Sequence, residues 1–172
     1  MISLSPTLDF CVQSVDLQWG DVVWGIEKGI FTWKDVRNFA LHRMSEPQSA
    51  TFDIENSIVS LDKNEASEMM ELARDASSST NQVATGQEQE KWLFLLLKWA
   101  YENRSSIPYP LGVVDDLYAE FDYPENIESF VAFLPPKDGW DPTKHTPTEN
   151  ENRLLKNWAM YLHDSPFALQ TQ

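Results

Sequence analysis

The chain has 172 residues, 42% hydrophobic and 23% charged, with 13 Lys plus Arg against 27 Asp plus Glu for a formal net charge of −14. Aromatic residues make up 12% and include seven Trp, enough for a sizeable core because each aromatic buries roughly 150–250 Å². This balance excludes a disordered chain and a collagen, the single cysteine excludes a disulfide scaffold or Cys-based zinc site, and the acid excess argues against direct nucleic-acid binding.

Residues 1–14 read as an extended lead-in, because Ser5-Pro6-Thr7 opposes a helix. The same stretch lacks a basic, apolar leader, so no secretion signal is expected. A short helix is predicted over 20–28, where Val22, Val23 and Ile26 recur at helical spacing, Trp19 packs from just outside and Gly29 takes the C-cap position. Thr32 with Asp35 makes a near-capping box for a helix over 33–44. Val36, Phe39 and Ala40 mark its apolar face, His42 and Arg43 suit its C-terminal dipole, and Pro47 ends it. The segment 52–61 fits either a strand or a helical turn. Asn64 is expected to cap a helix over 65–77 with Met69, Met70, Ala73 and Ala76 on one face, followed by a loop over 77–82.

The strongest helix spans 86–103, from about Thr85 to Asn103. Its centre, Trp92 to Tyr101, is apolar almost all round, which predicts burial by neighbours. Leu111, Val114, Leu117, Tyr118 and Phe121 predict a helix through 121, and Pro124 opens another over 124–132. A Pro- and Gly-rich loop follows over 135–142. Thr148 and Glu151 read as the capping box of a last helix over 149–163, burying Leu154, Leu155, Trp158 and Leu162. The tail 165–172 is expected to fray. The expected architecture is all-α: one domain over 1–172, a bundle of six or seven helices around the buried helix 86–103, with little or no strand. The most apolar stretch, Trp92 to Ala100, is nine residues long. A membrane span needs about 20, so a soluble, cytoplasmic protein without membrane association is expected.

Catalytic chemistry is hard to find. His42, His145 and His163 stand in no metal-ligand spacing, and no phosphate-binding glycine loop or nucleophile elbow occurs. Asp116 and Glu120 share a helix face at i, i+4, but no Glu-x-x-His accompanies them. No enzyme, cofactor or metal is therefore expected. The charge distribution says more. The 32 residues 105–136 contain no Lys or Arg and hold Asp115, Asp116, Glu120, Asp122, Glu125 and Glu128, interleaved with Tyr118, Tyr123 and Phe130. Acids give on-rate and register to a protein interface, and Tyr is enriched at its energetic centre. Asp115, Asp116, Tyr118, Glu120, Asp122, Glu125 and Glu128 are the candidate partner-binding residues. A solvated acidic face with core aromatics is the competing structural reading.

Three segments carry a resemblance: Trp19-Gly20-Asp21-Val22-Val23-Trp24-Gly25-Ile26-Glu27-Lys28-Gly29, Leu96 to Arg104, and Leu117 to Ile127. Together they resemble a helical family of small bacterial proteins of unknown function whose members look like immunity proteins of polymorphic-toxin and contact-dependent growth-inhibition systems. The resemblance spans roughly 15–135. It implies a protein that binds and neutralises a cognate toxin domain, expected to be a basic nuclease, foremost an RNase acting on tRNA or another RNA. The acidic surface would occlude the toxin's substrate face, with one monomer expected per toxin. An acidic adaptor or nucleic-acid mimic regulating a host protein is the first alternative. A hydrolase using Asp116 and Glu120 with His145 or His163 is the second.

Overall fold

The computed structural model describes residues 3–47, 49–79 and 86–169. Among these residues all regular structure is helical, as the sequence predicts. Where the sequence reads as one domain over 1–172, the contacts group the chain into two compact units, Leu4–Trp92 and Leu93–Gln172 with the first three residues. The boundary falls inside one helix.

The first unit holds α1 (Leu8–Ser14), α2 (Trp19–Glu27), α3 (Trp33–Met44), α4 (Phe52–Ser60), α5 (Ala66–Ser79) and the opening turns of α6 (Gln87–Glu102). The extended lead-in is corrected by α1. Pro6 lies before the N-cap rather than inside the helix, and Thr7 Oγ1 accepts the Phe10 N–H at 3.2 Å. Helix α2 ends in a Schellman motif: Gly29 N–H donates to Ile26 O at 2.9 Å and Ile30 N–H to Gly25 O at 2.8 Å, with Gly29 at φ +73°. The predicted box of α3 is present, Asp35 Oδ2 accepting from the Thr32 N–H at 2.8 Å. The ambiguous segment 52–61 is helical, as α4. The cap expected at Asn64 falls instead to Asp62, which with Glu65 boxes a 3-10 turn, Lys63–Glu65, leading into α5. Ser77–Ser79 form the last turn of α5 where a loop is expected; residues 80–82 of that loop and Thr85 lie outside the described residues.

Within this unit α3 packs on α4 and α5, and α2 packs on α5. Two buried acids organise the contacts. Glu55 on α4 is 0% exposed. Its Oε1 accepts from Trp19 Nε1 at 3.1 Å and Thr51 Oγ1 at 2.6 Å, and its Oε2 from Ser49 Oγ at 2.8 Å. Arg43 Nε stands 3.7 Å away, an ion-pair distance without hydrogen-bond geometry. Asp21 on α2 accepts from Lys91 Nζ at 2.7 Å and the Gln18 N–H at 2.8 Å. Burial outweighs these partners and raises its carboxyl above the ordinary range.

The second unit holds the rest of α6, α7 (Pro110–Glu120) and α8 (Pro147–Asp164), with 3-10 turns at Arg104–Ser106, Glu125–Phe130 and Pro142–Lys144. Five consecutive α6 residues of this unit, Leu93 to Leu97, are buried, as the apolar centre of the helix predicts. The helix expected over 124–132 is a 3-10 segment, Glu125–Phe130. The capping box of α8 lies two residues before the expected one: Thr146 caps, Pro147 takes N1, and Glu149 Oε2 accepts the Thr146 N–H at 2.7 Å. Of the four residues expected to be buried on α8 only Trp158 is, stacked on Phe130 at 6.1 Å; Leu154, Leu155 and Leu162 are half-buried. Residues 165–168 turn, and Phe167 lies 6.4 Å from the Phe94 ring; residues 170–172 lie outside the described residues.

Candidate interaction surface

The acidic tract occupies α7, its C-terminal turn and the 3-10 segment after it. Helix α7 buries Leu111, Val114, Leu117 and Tyr118 at helical spacing. That phase leaves Asp116 and Glu120 exposed on the opposite side and Asp115 half-buried between. Asp115 is therefore partly structural: its Oδ1 accepts the Ala132 N–H at 3.0 Å, and burial raises its carboxyl above the ordinary range.

The turn after α7 is strained. Asp122 N–H donates to Ala119 O at 3.3 Å and Tyr123 N–H to Tyr118 O at 2.8 Å, a Schellman closure without glycine. Asp122 and Tyr123 both sit in the left-handed region, at φ 62° and 59°. Such residues cost of order 1 kcal/mol or more each and cluster at functional sites. Here the turn folds the Tyr123 ring back edge-on to Tyr118, 5.2 Å between centroids, while leaving Tyr123 58% exposed. Phe133 lies 5.9 Å from Tyr118 on another side and is 61% exposed.

Tyr118 is the hinge of this cluster rather than a surface anchor. Its ring is buried and its hydroxyl donates to Glu128 Oε1 at 3.1 Å. Burial, with Glu128 beside it, pushes its phenol above the ordinary value. Glu128 also receives Lys137 Nζ, and that bond holds its carboxyl below the usual range. The acidic tract is thus not wholly uncompensated, since the first cation after it folds back onto Glu128. Asp122 and Glu125 are exposed, like Asp116 and Glu120.

The structure thus joins Tyr118 to Glu128 and ties Asp115 into the fold. It adds Tyr123, Phe133 and Lys137, which were not among the candidates. Tyr123 was visible as an aromatic among acids. Phe133 and Lys137 lie in an irregular segment where periodicity gives no face, and only their adjacency to the tract pointed to them. Phe130, also interleaved with the acids, is fully buried. The histidines are engaged elsewhere. His145 stacks on Trp140 at 3.7 Å, His163 Nδ1 meets Asp164 at 2.9 Å, and His42 stands 3.8 Å from Glu46. Among the described residues no group of three or more His, Cys, Asp or Glu is placed to hold a metal ion, and no helix is long and apolar enough to cross a membrane.

Residues 8–165 match the family described as "Uncharacterized protein conserved in bacteria (DUF2247)", and the chain belongs to that bacterial family. No curated protein and no solved structure matches it.

Proposed function

We propose that this chain is a cytoplasmic immunity protein that binds a cognate antibacterial toxin domain one to one and blocks it without catalysis. The observation that carries the reading is the pair of exposed rings, Tyr123 and Phe133, packed on Tyr118 within a tract whose outward residues include Asp116, Glu120, Asp122 and Glu125. Rigid aromatics give an interface its anchors, and acids steer a basic partner and set its register. A nuclease is the partner class this chemistry suits, because a cleft built for polyanionic substrate is basic. The resemblance to immunity proteins supports the same reading, and an RNase is the favoured target.

The test is co-expression. A candidate toxin domain, taken from a gene found beside this one, is induced with and without the chain, survivors are counted, and the purified pair is titrated calorimetrically at low and high salt. Rescue, a stoichiometry near one and affinity that falls with salt are expected. The variant Asp116→Lys/Glu120→Lys/Asp122→Lys spares Asp115, whose carboxylate holds the Ala132 N–H. It should lose rescue with its far-UV circular dichroism unchanged. Undiminished rescue by this variant refutes the acidic surface as the contact. No rescue and no binding removes the toxin reading for that partner and favours the acidic adaptor.

A further inference from the structure

Beside the exposed rings, the second unit contains a cleft of about 590 Å³ between the 3-10 segment Glu125–Phe130, the irregular stretch 131–138 and α8. Val131, Leu134, Pro135, Pro136 and Leu154 give it apolar walls. Glu125, Glu128 and Asp138 face it against Lys137 and Arg153, so carboxylates outnumber cations. The walls are held in place. Asn157 Nδ2 donates to Ser129 O at 2.8 Å, Arg153 pairs with Asp138 at 2.7 Å, and Asp115 holds Ala132 N–H at 3.0 Å. A site fixed before binding loses little conformational entropy when occupied.

The two cations differ. The Arg153 side chain is only 14% exposed, lies over the Trp140 ring and braces the wall. The Lys137 side chain is 78% exposed and reaches Glu128, whose own side chain is 19% exposed. A solvent-exposed ammonium therefore rests on a sheltered carboxylate that Tyr118 already orients. An exposed lysine pair of this kind contributes little and exchanges readily.

We infer that this cleft seats an apolar segment of the protein partner carrying one Lys or Arg, whose cation takes the place of Lys137 on Glu128. The inference rests on the basic-partner reading above and names the site within it. The apolar walls take the residues flanking the cation, Glu125 adds a second carboxylate at the mouth, and Lys137 acts as the stand-in that the partner displaces. Charge complementarity favours a basic segment: the cleft carries an excess of carboxylates in a chain of net charge −14.

The probe is a fluorescein-labelled peptide alternating leucine and arginine, with a leucine–glutamine peptide as control, followed by anisotropy at low and high salt. Wild type should bind the arginine peptide selectively. Lys137→Ala should bind it roughly three- to tenfold tighter because the internal competitor is gone. Glu125→Gln/Glu128→Gln should bind it about tenfold more weakly, and the uncharged Leu134→Asn should lose apolar contact and weaken it likewise. A gain of affinity in Lys137→Ala with an unchanged circular dichroism spectrum and thermal midpoint reports the loss of the internal competitor, so that variant decides the matter even where others are destabilised. No binding, equal binding of both peptides, or binding indifferent to Lys137→Ala and the Glu pair overturns the cleft. The same variants enter the rescue assay. Rescue by the Glu125→Gln/Glu128→Gln variant as complete as by wild type overturns the cleft and keeps the immunity reading. Peptide binding with the expected pattern but no rescue keeps the cleft and overturns that reading for the toxin tested.

Discussion

Gly25 offers the sharpest test of how the first unit is packed. It lies inside α2, where alanine is normally favoured by about 0.8–1 kcal/mol. A Cβ at this position would stand 2.7 Å from Trp92 Cζ2 and 3.0 Å from Phe31 Cδ2. Neither ring is the loose end of a side chain. Trp92 is fully buried, its indole N–H donates to Asp21 O at 2.8 Å, Trp24 stacks on it at 5.7 Å and Phe31 meets it edge-on at 5.1 Å. Forcing a methyl into such a contact costs about 1–3 kcal/mol. At 2.7 Å from a fixed ring the cost falls in the upper part of that range, about 2–3 kcal/mol, and subtracting the helix gain of about 0.8–1 kcal/mol leaves Gly25→Ala destabilised by roughly 1–2 kcal/mol, a fall of about 2–8 °C in Tm for a chain of this size. Gly20, in the first turn of the same helix, is the control. Its added Cβ would lie 3.2 Å from Glu88 Oε1, the far end of a flexible side chain that can turn aside. Gly20→Ala should be neutral or stabilising by up to about 1 kcal/mol. Urea and thermal unfolding of the two variants give the comparison. Equal shifts, or a Gly25→Ala protein as stable as wild type, would refute the close approach of α2 to Trp92.

Two other perturbations follow from the buried polar groups. Glu55→Ala removes the acceptor shared by Trp19, Ser49 and Thr51, while Arg43 keeps its closer pair with Glu46 at 2.9 Å; the donors left unsatisfied should cost about 2–4 kcal/mol in urea unfolding, Glu55→Gln keeps an acceptor and should cost less, and a loss under about 1 kcal/mol for the alanine variant would contradict the network. Burial pushes the Cys11 thiol up to about 12 from 9.0. Its stabilising contribution is therefore complete below pH 9 and is lost as pH rises from there toward 12, a difference of about 4 kcal/mol at roughly 1.4 kcal/mol per unit. Alkaline titration of wild type against Cys11→Ala should show the steeper loss in wild type, and parallel curves would refute it.

How much of this was legible in the sequence depends on what each element used as its signal. The boxed start of α3 and the glycine end of α2 were readable because a cap is a local chemical statement: Thr32 with Asp35, and Gly29 after the last apolar residue. Helix α6 was readable because an all-round apolar run has one solution in a helical chain. Helix α1 is hidden because Pro6 reads as a breaker, although a proline just before a Thr N-cap interrupts nothing. Helix α4 was ambiguous for a deeper reason. Its most buried residues are Ile58 and Glu55, while Phe52 is exposed, so a hydrophobic pattern reads the helix wrongly at both ends. The α8 cap had two Thr-x-x-Glu frames, Thr146 to Glu149 and Thr148 to Glu151. Pro147 decides between them, since its fixed φ suits N1 of the earlier frame.

The same logic separates the acids. Composition counts 27 of them as one kind of residue, but the fold gives them different partners. Asp21 and Glu55 face Lys91, Trp19 and hydroxyls from within the first unit. Asp115 holds a backbone N–H, and Glu128 a tyrosine hydroxyl and a lysine. Asp116, Glu120, Asp122 and Glu125 remain at the surface around Tyr123 and Phe133. Sequence charge located this tract, because a run lacking cations is visible without coordinates. It did not locate the geometry, because the rings and the lysine that complete it come from a turn and an irregular segment. That turn is informative in itself. Asp122 and Tyr123 hold left-handed conformations that a glycine would adopt without strain, and the return for the fold is a half-exposed Tyr123 beside Tyr118. Stability alone favours glycine at the first of these positions and burial of the ring at the second. On the proposal above, Tyr123 and the carboxylates around it meet a partner, which gives a use to a turn that has neither.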